Sequence, residues 1–274
     1  MSDFLAAMTA SSRRRADAVT ESPGRSRLAA LARSAAPVLP LELSDKGFDV
    51  IAEPKLASPA EGELVPHADP RETVLRIATS LADSGCVALS VLTEPTVFAG
   101  AVDDLQAVSV AVDLPVMRKD FLVDPIQVLE ARAAGASGVL LIARIVESSR
   151  LVEMTDLAIG LGMFALVEVF DESDLESAAA VFDRAVLVGV NARDLATLEV
   201  DRRRHAALAP LLPDHLPSVA ESGIATPEDA AGAALAGYRL ALVGTAVATS
   251  GDPAAAVRRL IAAGQTAASS RSAR

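Results

Sequence analysis

The chain alternates short apolar segments with longer amphipathic ones, and this alternation occurs eight times. The apolar segments are Asp49–Glu53, Cys86–Leu92, Leu114–Lys119, Gly138–Ala143, Met163–Val169, Ala185–Asn191, Pro217–Ser222 and Arg239–Gly244. Their hydrophobic residues are continuous rather than alternating, which is typical of parallel strands covered on both faces. Several intervening stretches begin with Asp, Ser or Thr beside Pro and end at Gly, as helices do. The pattern therefore predicts eight strand–helix units.

Eight such units in 274 residues predict a single (β/α)8 TIM barrel, an α/β fold. An open doubly wound sheet is the alternative fold. It would carry a Gly-rich dinucleotide fingerprint after its first strand, and residues 52–62 (AEPKLASPAEG) contain none. We predict a helical extension over residues 1–48, the barrel over residues 49–264 and a disordered tail over residues 265–274.

Charged and polar residues collect where the predicted strands end. In a barrel these ends meet on one face, which carries the chemistry of enzymes with this fold. Because strand side chains alternate between faces, Lys119 shares the face of Met117, and Glu168 shares that of Leu166. A charge directed outward would be buried beneath helices at a cost of roughly several kcal/mol unless it were paired. We therefore place Lys119 inside the barrel and Arg118 outside it. The residues expected at this face are Glu53, Lys55, Ser90, Glu94, Lys119, Arg144, Glu168, Asn191, Arg193, Glu221, Ser222, Gly244 and Thr245.

The loops after the seventh and eighth strands have the composition of a phosphate-binding site. Ser222–Gly223 and Gly244–Thr245 put small residues where backbone N–H groups can approach phosphate oxygens closely. Tight termination of a strand would explain either glycine by itself. The occurrence of both pairs at consecutive strand ends favours phosphate binding.

Composition narrows the range of partners. The chain is 51% hydrophobic and 3% aromatic, with a formal net charge of −11. An acidic chain without a long basic run is not expected to bind nucleic acid, and we interpret Arg13–Arg15 as the solvated face of an N-terminal helix. No apolar stretch reaches the roughly 20 residues of a membrane span, and the N-terminal residues lack a signal-peptide pattern. We expect a cytoplasmic protein, without a membrane partner, that is a monomer or a weak homodimer.

The cysteine and histidine residues give no sign of a metal or redox site. Cys86 is the single cysteine, so an intramolecular disulfide is excluded, and its apolar neighbours predict a buried structural thiol. His67, His205 and His215 lack metal-ligand spacing, and we expect all three at the surface or in loops. No metal and no other cofactor is expected.

Seven segments, taken in order, resemble the successive motifs of the indole-3-glycerol-phosphate synthase family. They are IAEPKLASP (Ile51–Pro59), SVLTEPTVFAG (Ser90–Gly100), LPVMRKDFLVDPIQVLEARAAGA (Leu114–Ala136), LVEVFDESDL (Leu166–Leu175), GVNARDLATLEVD (Gly189–Asp201), VAESGI (Val219–Ile224) and ALVGTAV (Ala241–Val247). The third segment, with its lysine between Arg and Asp-Phe, is the most specific. The resemblance covers the chain from about Asp49 to Pro253.

The resemblance implies a cofactor-free reaction on 1-(2-carboxyphenylamino)-1-deoxyribulose 5-phosphate. The ring carbon that bears the carboxylate attacks the sugar-derived carbonyl, CO2 leaves, and dehydration gives the indole. By carry-over, Lys119 is the general acid that protonates the carbonyl oxygen, and Glu168 is the general base for the later proton removal. Lys55 pairs with carboxylates and anchors substrate anions, while Glu53 and Asn191 hold the sugar hydroxyls and the amine.

Further positions are carried over as supporting ones. They are Ser222 with the backbone of Gly223, Gly244 and Thr245 for the phosphate, Ser58 and Arg193 as additional contacts, and Phe98 against the aromatic ring. For Glu94 and Asp120, a role in the site and a role in capping or loop pairing are both open. We interpret Glu221 as a structural partner for a cation rather than as a catalyst.

The sequence also departs from the family pattern. Leu56, Ala60 and Glu61 stand where the first loop of the family usually has Arg, Ser and often Lys, Phe170 replaces a polar residue, and Arg144 adds a cation to the site. These changes leave open a secondary-pathway relative that takes a modified anthranilate-derived substrate.

Two other functions were compared with this one. A phosphoribosylanthranilate isomerase would have a Cys near the end of its first strand, where this chain has Glu53 and Lys55. A non-catalytic barrel that binds a phosphorylated ligand would be expected to have lost Lys119 or Glu168, and both are present.

Overall fold

A computed structural model describes residues 3–58, 60, 62–66 and 69–272 of the chain. Its strands are β1 (Asp49–Ala52), β2 (Ala88–Leu92), β3 (Val116–Lys119), β4 (Gly138–Ile142), β5 (Phe164–Val169), β6 (Leu187–Asn191), β7 (Ser218–Glu221) and β8 (Leu240–Val243). Each pairs in parallel with its neighbours in the chain, and β8 pairs with β1, so the sheet is closed. The predicted (β/α)8 barrel and its eight strands are confirmed.

Helices surround the barrel and precede it. They are α1 (Asp3–Glu21), α2 (Arg25–Ser34), α3 (Pro70–Ala82), α4 (Val102–Ala111), α5 (Pro125–Ala133), α6 (Ser148–Gly160), α7 (Glu172–Ala178), α8 (Arg203–Leu208), α9 (Pro227–Ala236), α10 (Thr245–Ala248) and α11 (Pro253–Ser272). The start signals read from the sequence act as expected. Asp69, Asp124 and Thr226 cap the helices that follow them, each with a proline in the first turn.

Two apolar layers account for the continuous hydrophobic strands. One fills the barrel interior and includes Ile51, Met117, Leu166 and Val219, while the other lies between the strands and the surrounding helices. Strand residues therefore alternate between two apolar environments, as the run of hydrophobic residues requires. This register also places Lys119, two residues beyond Met117, toward the interior.

The first turns of α1 lie over the C-terminal ends of the strands, where Phe4 lines the cavity described below. Leu5 and Met8 of α1 are buried in the same apolar cluster as the barrel interior. On the same helix, Arg15 binds the Asp120 carboxylate through two hydrogen bonds of 2.7 and 2.8 Å. The solvated face predicted for Arg13–Arg15 is therefore wrong for Arg15, because an acidic residue more than a hundred positions away in sequence lies beside it.

Two further features differ from the sequence-based predictions. Helix α11 continues to Ser272 and buries Ala267 and Ala268, so the disordered tail predicted from residue 265 is wrong. A short antiparallel hairpin pairs Ala57–Ser58 with Gly62–Glu63 and was not predicted. Within the described residues, no helix combines the length and apolar character needed to cross a bilayer.

Cys86 and the histidines can also be placed. Cys86 is buried, as predicted. His205 is buried on α8 and contacts the Glu221 carbonyl through Nε2 at 3.1 Å, so its predicted surface position is wrong. Its ring packs against Tyr238, with centroids 5.4 Å apart, so the histidine is enclosed although α8 lies outside the barrel. His215 lies at the surface, and His67 falls outside the described residues.

Candidate active site

A cavity of about 470 Å³ opens at the C-terminal ends of the strands, and we call it the central cavity. Its lining contains nearly all of the site residues predicted from the sequence: Glu53, Lys55, Phe98, Lys119, Glu168, Asn191, Arg193, Ser222, Gly223, Gly244 and Thr245. Ser90 and Arg144 do not line it, and neither does Ser58. Ser58 is buried in the hairpin, where its Oγ accepts the N–H of Ala60. Its position does not support the expected contact with a substrate.

Four ionisable residues form one layer across the floor of the central cavity. They come from the odd-numbered strands, and each lies two positions beyond an interior apolar residue. The pairs are Ile51 and Glu53, Met117 and Lys119, Leu166 and Glu168, and Val219 and Glu221. Contribution of a layer by alternate strands is a general property of these barrels. The alternation that buries the apolar layer therefore also assembles the charged one.

Lys119 lies among the carboxylates of this layer. Its Nζ is 3.8 Å from Glu168 Oε2 and 4.0 Å from Glu221 Oε2. Burial alone would lower the pKa of Lys119, but the charges of Glu168, Glu221 and Glu53 outweigh it and raise the pKa above its usual value. The ammonium is therefore protonated at neutral pH and positioned to donate a proton.

The Glu221 carboxyl is buried without a hydrogen-bond partner. Both of its oxygens, and Oε2 of Glu168, lack partners among the described residues. Burial, and then the charge of Glu168, raise the pKa of Glu221 well above its usual value. Gly189 makes room for it, because a Cβ there would collide with Glu221 Oε1. Glu221 thus pairs with the cation Lys119, as predicted. It is also a buried acid whose oxygens could form hydrogen bonds with a ligand.

We expect Glu221→Gln to raise the free energy of unfolding by about 1 kcal/mol at about pH 8. Because the pKa of Glu221 is raised in the folded state, its ionisation favours unfolding, and this penalty grows as the pH rises above the usual carboxyl pKa. Urea unfolding at about pH 5 and about pH 8 measures the effect. The exposed Glu228→Gln is the control, and an equal gain at both pH values would contradict the explanation.

Lys55 and Glu53 occupy the side of the cavity formed by β1. Lys55 Nζ lies 3.7 Å from Glu53 Oε1 and 5.6 Å from the centroid of the Phe98 ring. Ser90 Oγ donates to Glu53 Oε2 at 3.2 Å and orients it. Glu94 accepts the backbone N–H groups of residues 96–98, which shows loop capping, and it also lines the central cavity, so a role in the site stays open.

Three phenylalanine rings form an aromatic wall. The Phe121 centroid is 6.3 Å from that of Phe98 and 6.2 Å from that of Phe4, and all three residues line the central cavity. Sequence reasoning identified only Phe98. Phe121 could have been found from its position two residues beyond Lys119, whereas Phe4 belongs to α1 and had no local signal. A flat aromatic ligand could contact these rings through its edge or through its face.

The lining opposite the aromatic wall includes a strained turn after β7. Ser222 and Gly223 have φ of 63° and 80°, so two successive left-handed residues follow β7. For serine this conformation is strained, a feature that concentrates at functional sites. Gly244 lies beside Glu53, whose Oε1 would be 2.6 Å from a Cβ at that position. Asn191 Oδ1 accepts the N–H of Arg193 and holds the start of the next loop.

Asp120 belongs to a buried ionic network outside the barrel interior. It accepts hydrogen bonds from Arg15, from Thr93 at 2.8 Å and from Arg118 at 3.2 Å. Burial would raise its pKa, but Arg15 and Arg118 lower it to about 2. Arg118 also binds Glu130 at 2.6 Å, which confirms the predicted outward, supporting position of this arginine. Of the two roles left open for Asp120, the structure shows the pairing, and because Asp120 also lines the central cavity a role in the site stays open.

Arg144 does not reach the central cavity. It pairs with Asp171 and Asp174 at 2.6 Å and lies 4.3 Å from the Phe170 ring centroid. The prediction that Arg144 adds a cation to the site is therefore wrong, because two carboxylates on the next loop and helix bind this arginine. Two of the departures from the family pattern, Arg144 and Phe170, form one local contact. No cluster of His, Cys, Asp and Glu within the described ranges is arranged to hold a metal.

Comparison with known proteins identifies relatives over most of the chain. The profile of the indole-3-glycerol phosphate synthase family matches residues 7–260. The indole-3-glycerol phosphate synthase of Mycobacterium avium (strain 104) is 47% identical over 241 residues, which is 87% of this chain and 86% of that protein. The protein of the same name from Nocardioides sp. (strain ATCC BAA-499 / JS614) is 49% identical over 214 residues, 78% of this chain and 80% of that protein.

Solved structures extend the likeness at the level of the fold. The 3-hexulose-6-phosphate synthase from Salmonella typhimurium superposes with a TM-score of 0.61 at 12% identity, covering 81% of this chain and 99% of that one. A phosphoribosylanthranilate isomerase from Thermotoga maritima has a TM-score of 0.54 at 14% identity, covering 80% of this chain and 99% of that one. At such low identity these structures show a shared barrel only.

Proposed function

Because the chain belongs to the indole-3-glycerol phosphate synthase family, carboxy-lyases of tryptophan biosynthesis, we propose a specific role for each residue of the central cavity in that reaction. The substrate is a phosphorylated small molecule, 1-(2-carboxyphenylamino)-1-deoxyribulose 5-phosphate. The products are indole-3-glycerol phosphate, CO2 and water. The observation that carries the proposal is the layer of Lys119 and three glutamates beneath an aromatic wall and opposite the strained turn after β7.

Lys119 acts as the general acid. When the ring carbon bonds to the carbonyl carbon, the carbonyl oxygen gains negative charge and needs a proton. A lysine whose pKa is raised by neighbouring carboxylates is fully protonated before the step and stabilises the developing oxyanion. Because β3 fixes its backbone, the ammonium is in place before the charge develops.

Glu168 acts as the general base in the dehydration step. Its Oε2 is buried, has no hydrogen-bond partner among the described residues and lies 3.8 Å from Lys119 Nζ. A carboxylate with an unused oxygen can take the proton that must leave as the indole ring becomes aromatic. The proximity of acid and base lets one pocket serve both proton transfers.

The remaining residues orient the two ends of the substrate. Lys55 lies beside Phe98, where it can meet the substrate carboxylate that later leaves as CO2. Glu53 and Asn191 line the cavity and form hydrogen bonds with the sugar hydroxyls and the amine. The Glu53 carboxylate accepts them, and the Asn191 amide can accept or donate them. The aromatic wall receives the anthranilate ring.

The phosphate is assigned to the opposite side of the cavity. Ser222 and the N–H groups around Gly223, Gly244 and Thr245 surround it. With the ring at one side and the phosphate at the other, the carbonyl lies above Lys119. Arg193 stays a supporting residue, since its Nη1 donates to the Leu198 carbonyl at 2.7 Å and shapes the adjoining loop.

The test is direct turnover of the proposed substrate by the purified protein. Indole formation is followed by fluorescence, and CO2 release is measured in parallel, so that ring closure and decarboxylation are both recorded. Equal amounts of both products are expected. If the substrate binds calorimetrically but no indole appears, the proposal is wrong, and ring-substituted anthranilate derivatives would then identify a secondary-pathway relative.

The cellular setting is also proposed. The protein would act in the cytoplasm as a monomer or weak homodimer, without nucleic-acid or membrane partners. A net charge of −11 and one buried cysteine support this assignment. Analytical ultracentrifugation at several protein concentrations distinguishes the monomer from the dimer.

A further inference from the structure

Arg202 lines the central cavity on the side of the Ser222–Gly223 turn, yet none of the motifs discussed above assigns it a role. It lies at the end of the loop that follows β6, immediately before α8. Its side chain is 56% exposed, so burial of the guanidinium does not explain its position. The same part of the lining contains Ser222, Gly223 and Thr245.

The stem of Arg202 packs directly on the Ser222–Gly223 turn. A Cβ on Gly223 would lie 3.0 Å from Arg202 Cγ and 3.5 Å from its Nε. Such contacts are too close for most side chains, so the absence of a side chain at Gly223 makes room for this arginine as well as permitting a φ of 80°. The Arg202 side chain therefore lies against Gly223, a residue of the proposed phosphate site.

A carboxylate ties Arg202 to the helix that follows the same turn. Arg202 Nη1 donates to Asp229 Oδ1 at 2.7 Å. The other oxygen of Asp229 accepts the N–H groups of Ala225 and Thr226 at the start of α9. One carboxylate thus fixes both the arginine and the loop between β7 and α9, so the cation and the N–H groups keep a constant spacing.

The negative charge of the cavity and of the phosphate calls for a positively charged side chain at the phosphate site. The floor of the cavity carries three glutamates, and the protein has a net charge of −11, so a phosphate dianion needs compensation where it binds. Arg193 donates to the Leu198 carbonyl, and Lys55, which pairs with Glu53 at 3.7 Å, lies beside Gly244. Arg202 would therefore be a second cation at the phosphate, on the side of the Ser222–Gly223 turn. A planar guanidinium matches phosphate oxygens better than an ammonium does.

We propose that Arg202 is a specificity-determining residue that binds the phosphate of the substrate together with the Ser222–Gly223 turn. This inference rests on the proposed function, because it takes the phosphate to lie at this side of the cavity. Arg202 makes no contact with the layer around Lys119 in the proposal. It discriminates between phosphorylated and unphosphorylated substrates rather than promoting the chemical step.

The experiment compares Arg202→Ala with Arg203→Ala and Arg202→Lys. Arg203 is the matched control, since its side chain is 91% exposed and pairs with Asp201. For Arg202→Ala, loss of a charge-assisted hydrogen bond is expected to lower kcat/KM about tenfold, mainly through KM. The lysine variant should recover part of the loss, and Arg203→Ala should match the unmutated protein.

Two further measurements separate this inference from the proposed function. With the dephosphorylated substrate, Arg202→Ala and the unmutated protein should differ by less than about twofold. Calorimetry with inorganic phosphate requires no turnover, and Arg202→Ala should weaken phosphate binding about tenfold. If that loss appears in a protein without turnover, the inference stands and the proposed function fails. If Arg202→Ala and Arg203→Ala bind inorganic phosphate equally, or the loss persists with the dephosphorylated substrate, the inference is wrong.

Discussion

Lys119→Met should lower kcat by about 10²- to 10⁴-fold, the range for loss of a positioned general acid. Methionine keeps an unbranched side chain as far as Cε and removes Nζ with its proton and its charge. The carbonyl oxygen then receives no proton as it gains charge. The carboxylates of Glu168 and Glu221, which lie near Nζ in the unmutated protein, then face this oxygen without a cation between them. KM should change much less, because the aromatic wall and the phosphate site are intact.

The matched control for this variant is Lys46→Met. Lys46 is exposed near Asp49, at the end of the barrel opposite the central cavity, so loss of a lysine there should leave kcat unchanged. Indole fluorescence gives kcat and KM, and far-ultraviolet circular dichroism confirms that both variants are folded. A Lys119→Met protein with kcat within about threefold of the unmutated value would show that another group protonates the carbonyl.

The position of Lys119 could be predicted because it depends on a local rule. A strand of continuous apolar residues must bury both faces, so the parity of Met117 decides the direction of Lys119. The same rule gave Glu168 and Glu53 and placed Arg118 outside the barrel. Once eight parallel strands were predicted, closure of the barrel brought these ends together without further information.

Apart from Phe121, the residues that sequence reasoning missed or misplaced depend on contacts between distant segments. Phe4 reaches the cavity because α1 lies over the strand ends, and no periodicity in residues 3–21 specifies that docking. Arg144 fits the sequence position of a cavity cation, but Asp171 and Asp174 hold it elsewhere. His205 is buried because Tyr238 and the Glu221 carbonyl surround it. Each outcome depends on a partner that only the folded chain identifies.

The docking of α1 has consequences for the catalytic strand. Arg15 reaches the Asp120 carboxylate, and Ser12 Oγ accepts a hydrogen bond of 2.9 Å from Gln127 Nε2. Both partners lie in the segment that runs from the end of β3 into α5. The N-terminal extension therefore fixes the backbone on either side of Phe121 and, through Asp120, the residue next to Lys119.

Asp120→Ala is expected to lower the free energy of unfolding by about 3–5 kcal/mol, the usual cost of removing one partner from a buried ion pair. Asp120 and Arg118 have side-chain exposures of 0% and 1%, so the variant leaves Arg118 buried with Glu130 as its remaining acidic partner. It also leaves Arg15 without its acceptor. Urea unfolding at about pH 7 measures the loss, and Asp113→Ala, an exposed aspartate that precedes β3, is the control.

The pH dependence of this difference separates the ionic network from simple loss of packing. Arg15 and Arg118 hold the pKa of Asp120 at about 2 against the effect of burial, below its usual value of 3.8. A carboxyl with a depressed pKa stabilises the folded state above its usual pKa and loses that contribution as the pH falls toward the depressed value. The stability gap between the unmutated protein and Asp120→Ala should therefore be constant down to about pH 4 and shrink below it. A gap that stayed constant to about pH 2.5 would assign the loss to packing rather than to charge.

Because Asp120 adjoins Lys119, kcat measured at neutral pH on the folded fraction of Asp120→Ala should fall as well. That result would connect the N-terminal helix to the chemistry at the strand end.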